Sequence, residues 1–172
     1  MRAWKSLDKE IGGLSHKDVW ESFNEMFEFN PSIYSEDWPS IIEPKPSITY
    51  DISTAYYNGN ENYLVLEKDL SVKTLVAFRE CLFREDKLYV LNWEHPSYLF
   101  YPYGSFDFTN SEEWLIPVFP NGDYYIFLAE DFSFGLFGHP WEQSICVFGT
   151  KLISAFEKYK PLLFTSILRS NL

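Results

Sequence analysis

The chain has 172 residues, a formal net charge of −11 and an aromatic content of 20%. That pairing excludes a disordered acidic segment, because such segments are poor in aromatics. A chain of this length removes roughly 70% of its unfolded surface from water on folding, enough for one domain spanning residues 1–172 without disulfide or metal staples.

The elements follow in order. The first ten residues, M-R-A-W-K-S-L-D-K-E, contain no apolar core that serves as a signal peptide, and no run approaches a membrane span, so a soluble cytoplasmic protein is expected. From Ser15 to Phe27, the residues Val19, Trp20, Phe23, Met26 and Phe27 recur at helical spacing. Ser15 stands as N-cap, with Lys17, Asp18, Glu21 and Glu25 on the wet face. Asn30 to Ser47 carries Pro31, Pro39, Pro44 and Pro46 and reads as a surface loop, mobile or partner-facing, with Trp38 and Ile41 as anchors. Ile48, Tyr50 and Ile52 alternate with polar residues as in a half-buried strand. Asn58 to Asn60 turns the chain, and Tyr63 to Leu66 forms a short strand. Asp69 to Phe83 returns to helical spacing with Asp69 or Ser71 as cap.

Leu88–Trp93 and Tyr98–Tyr101 are strands joined at Glu94-His95-Pro96-Ser97. The stretch from Ile116 to Gly149 reads as a β-meander. Pro120-Asn121-Gly122-Asp123 turns into Tyr124–Ala129, a continuous apolar strand covered on both faces. Glu130-Asp131 leads to Phe132–Phe137, where Gly135 allows a bulge or close approach, and Gly138-His139-Pro140 leads to Glu142–Phe148. Gly149-Thr150 opens a last helix striped by Leu152, Ile153, Phe156 and Tyr159 and ended by Pro161. The tail beyond is apolar enough to dock. Short turns make these later strands antiparallel neighbours. The expected architecture is α+β: one antiparallel sheet with N-terminal, central and C-terminal helices packed mainly on one face.

Charge constrains partners. Between Leu88 and Thr150 there is no Lys or Arg, while Glu94, Asp107, Glu112, Glu113, Asp123, Glu130, Asp131 and Glu142 supply eight negative charges. A phosphate backbone requires a basic footprint, so no nucleic acid is expected, nor a membrane. A basic protein is drawn to such a field. The acids also serve simply to keep an aromatic-rich domain soluble.

Chemistry-bearing residues are few. Two histidines stand in mirrored contexts, Trp93-Glu94-His95-Pro96 and His139-Pro140-Trp141-Glu142. If their turns share one end of the sheet, His95, His139, Glu142 and Asp123 form a candidate catalytic cluster, suited to a His–Asp general base or a metal held by two His and a carboxylate. The plain alternative is that the imidazoles bond to their own turns under the tryptophans. Trp93, Glu94, Tyr98, Asp123, Tyr124 and Trp141 are the candidate binding residues. Tyr98, Tyr101, Tyr103, Phe106 and Phe108 line a groove or, as such residues more often do, pack as core. Cys81 and Cys146 lie in apolar segments without a C-x-x-C partner and read as reduced buried thiols, although a disulfide between them stays open. No nucleophile elbow and no G-x-G-x-x-G appears, so neither metal nor cofactor is called for.

The blocks L-x-W-x-H-P-x-Y-x-F-x-P (Leu91 to Pro102), P-x-G-D-Y-Y-I-F (Pro120 to Phe127) and G-H-P-W-E-x-x-I-C-V-F-G (Gly138 to Gly149), with P-S-I-T-Y-D-I-S (Pro46 to Ser53) and V-W-x-x-F (Val19 to Phe23), carry a resemblance. Together they are similar to an uncharacterised bacterial family of small cytoplasmic proteins known as a domain of unknown function. The resemblance implies one α+β domain and transfers no catalytic residue. Three readings follow: a non-catalytic binding protein whose acidic aromatic surface engages a basic protein partner, as immunity-type proteins engage nuclease toxins; a hydrolase or metal-dependent enzyme using the His/carboxylate cluster; or a small-molecule binding or sensing domain with an aromatic groove.

Overall fold

In a computed structural model that describes residues 1–7, 14–57 and 59–172, eight strands form one sheet. They are β1 (Trp4–Ser6), β2 (Ser47–Asp51), β3 (Leu88–Asn92), β4 (Tyr98–Phe100), β5 (Tyr125–Ala129), β6 (Gly135–His139), β7 (Ser144–Phe148) and β8 (Ser166–Asn171). Their order across the sheet is β1-β4-β3-β5-β6-β7-β2-β8, and every pairing between them is antiparallel. The helices are α1 (His16–Phe27), α2 (Thr54–Tyr57), α3 (Gly59–Cys81) and α4 (Thr150–Lys158). This is the expected single-domain α+β fold. The long connection after β4 carries the chain back past β3, so β5 pairs with β3 and not with β4.

Strand alternation sorts the apolar residues into two cores. Ile48, Tyr50, Leu88, Val90, Phe127, Leu136, Ile145 and Val147 project to a face covered by α3 and α4 through Leu70, Leu75, Phe78, Leu152 and Phe156. Tyr89, Leu91, Ile126, Leu128, Phe137, Cys146 and Phe148 project to the other face, where Val19, Phe23 and Phe27 of α1 cover them with Ile41. Most of the helical cover therefore lies on one face, and among the described helices α1 is the one on the second. With both faces buried, β2 is not half-buried: its polar Thr49 is as inaccessible as its apolar neighbours.

Helix α1 starts where its sequence says it should. The Ser15 hydroxyl accepts the Asp18 N–H, and Asp18 in turn accepts the Ser15 N–H at 2.9 Å, a reciprocal capping box that satisfies two otherwise orphaned donors. Other local expectations are revised. β6 runs Gly135–His139 and not Phe132–Phe137, so Gly138 and His139, expected in the turn, belong to the strand. Tyr63 to Leu66 is not a strand but part of α3, which runs from Gly59, so Asp69 and Ser71 lie inside the helix and cap nothing. Asp69 instead accepts the Leu162 N–H at 2.6 Å and pairs with Lys73. Asn58, of the expected turn, lies outside the described residues. Strands β1 and β8, both at sheet edges, were not expected.

The expected close approach at Gly135 is real. A Cβ there would stand 2.2 Å from the Phe127 carbonyl oxygen and 2.8 Å from the Phe148 ring. Gly135→Ala is expected to lower stability by about 2 kcal/mol through overpacking between β5 and β6, read as a lower urea midpoint at unchanged slope.

Candidate functional site

Because β3, β5 and β6 alternate in direction, Asn92 pairs with Tyr125 and Tyr125 with Gly138. Both His-Pro turns and the Asp123 turn therefore meet at one end of the sheet. Tyr124, fully buried, is the hub. Its ring lies 4.9 Å from that of His139, 5.0 Å from Phe29, 5.2 Å from Trp141 and 5.9 Å from Trp93.

His139 has no exposed surface. Its Nδ1 accepts the Glu142 N–H at 3.0 Å, so the proton of the neutral ring sits on Nε2, which donates to Ser40 Oγ at 3.0 Å. Ser40 then meets the Tyr124 hydroxyl at 3.2 Å, and that hydroxyl donates to the Ser32 carbonyl and accepts the Ser32 N–H. Every member of this buried chain is satisfied. It ties the 30–47 segment, expected to be mobile or partner-facing, onto the sheet. Trp38 adds an edge-on contact to His139 and an Nε1–H bond to the Ser32 carbonyl. Burial pushes the His139 pKa down from 6.5 to about 4; Arg169 adds to this and Glu142 opposes it.

His95 lies at the rim. Its Nδ1 is 2.7 Å from the Trp93 carbonyl, which can only accept, so Nδ1 carries the proton. It also stands 3.1 Å from Asp123 Oδ2. Burial raises the Asp123 pKa, against the pull of the Tyr124 N–H and His95. The pair has the layout of a base held by a carboxylate, with Nε2 as the basic nitrogen. The four candidate catalytic residues thus fall into a surface pair, His95 with Asp123, and a buried pair, His139 with Glu142. No group of three His, Cys, Asp or Glu able to hold a metal occurs among the described residues.

The Glu142 carboxylate is committed elsewhere. Arg169 of β8 donates to Glu142 through Nη1 and Nη2, each at 2.8 Å, and to Glu43 through Nε and Nη2 at 2.9–3.1 Å. Ser144 and Thr49 each donate to one carboxylate of this cluster. Glu43 and Glu142 side chains are only 5% and 9% exposed, so one guanidinium satisfies two buried anions.

Beside the hub, α1, the segment just after it and the β3–β4 turn border an open cleft of about 450 Å³. Trp20, Phe29, Pro31 and Trp93 wall it, and Glu21 and Glu94 stand among its polar residues. Trp20 and Phe29 stack at 6.0 Å. Of the candidate binding residues, Trp93 and Glu94 line this cleft, Tyr124 packs under Trp93, and Asp123 and Trp141 adjoin Tyr124. Tyr98 does not join them; it packs against Trp4 beside the other core. Phe106 packs with Phe100, Phe108 and Trp114, and Arg79 lies over Tyr103 and Phe108. Cys81 and Cys146 are both free thiols, Cys81 half-buried and Cys146 buried, and burial raises the Cys146 pKa to about 12.

Glu43, Arg169, Ser40, Trp20 and Phe29 were not among the candidate residues. Trp20 and Phe29 carried a weak signal, an aromatic at the edge of the α1 stripe and another just past its end. For Arg169 and Glu43, 126 residues apart, there was none.

The structure therefore defines a single-domain α+β protein with two cores and an aromatic, carboxylate-bearing cleft at one end of its sheet. Residues 10–153 match the family described as "Protein of unknown function (DUF2716)", and the chain belongs to that family. It is also 34% identical over 166 residues to the "Uncharacterized protein YxiI" of Bacillus subtilis (strain 168), covering 95% of this chain and 98% of that one. No solved structure matches it. Among the described residues no helix is long and apolar enough to cross a membrane.

Proposed function

We propose that this is a non-catalytic cytoplasmic binding protein that engages a basic protein partner, in the manner of an immunity protein, through the hub end of its sheet. The cleft carries this reading. Trp20, Phe29 and Trp93 offer aromatic surface of the kind that dominates interface energetics, and Glu21 and Glu94 outnumber Lys17 among its charged lining residues, which suits a cationic partner. Asp123, at the same end of the sheet as Glu94, comes with it from a segment without a Lys or Arg and adds to the negative sign of this end. The buried relay from His139 to Ser32 serves this end as a brace that holds Tyr124 and the 30–47 segment in place.

The test is affinity capture of the tagged protein from its native lysate at low salt and at about 0.5 M salt, where the Debye length is roughly 4 Å. A stoichiometric basic protein is expected at low salt, released at high salt, and absent with Trp93→Ala combined with Glu94→Gln. A partner retained by that double variant, or none at either salt, would remove the reading.

A further inference from the structure

We infer that the cleft between α1 and the β3–β4 turn is built for one arginine side chain of the partner. This rests on the binding reading above and deepens it. The lining is rich in π surface, with Trp20 and its stacked neighbour Phe29 joined by Trp93 of the β3–β4 turn, and Pro31 adds an apolar ring. Such walls suit a planar, weakly hydrated cation, which stacks on an aromatic face while its edge keeps its hydrogen bonds; a lysine ammonium, compact and strongly hydrated, gains less from them. Glu21 and Glu94 belong to different elements, so carboxylates reach the cleft from both the helix and the turn, and five guanidinium donors can serve both.

The cleft is also wide enough. At about 450 Å³ it admits a side chain together with its aliphatic stem, and its aromatic walls reward that stem with apolar contact. A resident competitor exists: Lys17 pairs with Glu21 at 3.5 Å. Both side chains of that pair are more than half exposed, so it is weak and yields to a better-fitting cation.

N-acetyl-arginine amide tests the inference on the isolated protein, without any partner. Binding is read from the indole N–H resonances, with the Trp20 and Trp93 signals identified by their loss in Trp20→Phe and Trp93→Phe. A saturable shift of these two signals is expected, with the lysine analogue about fivefold weaker and the neutral, isosteric citrulline analogue without effect. Glu94→Gln, on the surface and harmless to folding, should weaken the arginine probe about fivefold, whereas Lys17→Gln should strengthen it about threefold by freeing Glu21. A response equal for arginine and citrulline, none at all, or insensitivity to both charge variants would overturn the inference. The two readings can fail separately. Partner capture that depends on Trp93 and Glu94 while the arginine probe does not bind would leave the binding function standing and reject the arginine.

Discussion

Arg169→Leu is expected to lower stability by about 3–5 kcal/mol, because it strands two carboxylates in a buried site. Glu43 and Glu142 are almost inaccessible, and Arg169 is the only cation hydrogen-bonded to either among the described residues; Thr49 and Ser144 supply one neutral donor each. In a protein of this size that loss lowers Tm by roughly 10 °C. The loss should shrink as pH falls, since Glu142 without Arg169 loses the bonds that hold its pKa down and keeps the upward push of burial. Adding Glu43→Gln and Glu142→Gln to Arg169→Leu should recover most of the stability. If the triple variant is no better than the single one, the cluster acts through packing of the arginine stem and not through charge. The same cluster explains why β8 can end the sheet. Leu168 falls at a bulge opposite Thr49 and Tyr50, and the strand's one charge points inward, two devices that discourage a further strand from adding to an open edge.

Acid should weaken the fold in a window that His139 sets. An unfolded histidine takes its proton near pH 6.5, whereas the buried His139 takes one only near pH 4. Between those values the unfolded state binds more protons, so stability is full above 6.5 and falls as pH drops toward 4, by roughly 3 kcal/mol in all. The structure supplies the reason: Nδ1 already accepts the Glu142 N–H, and a proton placed there faces a donor inside an aromatic shell. Glu142 adds to acid loss only at lower pH. Burial raises its pKa, but hydrogen bonds from Arg169 and Ser144 outweigh that and hold it below its ordinary 4.5. Urea unfolding at pH 7.5, 6 and 5 measures the slope. His139→Gln should be less stable at pH 7.5, with a polar chain broken, yet much flatter across this range. A wild-type curve that is flat from 7.5 to 5 would show that His139 opens to solvent before it protonates.

How much of this was legible depended on the range of the cause. Helix α1 could be read almost to the residue, because its capping box and apolar stripe are local. Strands β3, β4, β5 and β7 could be read because turn chemistry punctuates them and both faces demand apolar residues; β6 begins later than its aromatic run suggests, at Gly135. The segment at Tyr63 to Leu66 misled for the opposite reason. Its four residues carry no period of their own, and it is helical because Tyr63 and Leu66 pack against the core beneath α3. The edge strands β1 and β8 escaped notice because their partners, Phe100 and Tyr50 among others, lie far along the chain.

The site divides along the same line. By itself the sequence determined that Trp93 and His95 stand at one strand turn, that Asp123, His139 and Trp141 stand at turns of the Ile116–Gly149 meander, and that this half of the chain carries only negative charge. Local rules of turn geometry and residue type suffice for that. Only the tertiary structure decided that His139 is sealed while His95 is open, that Glu142 answers to Arg169 and Glu43, and that Trp20 and Phe29 complete a cleft with Trp93. Those outcomes depend on which face of the sheet α1 covers and on where β8 docks, and packing over the whole molecule settles both.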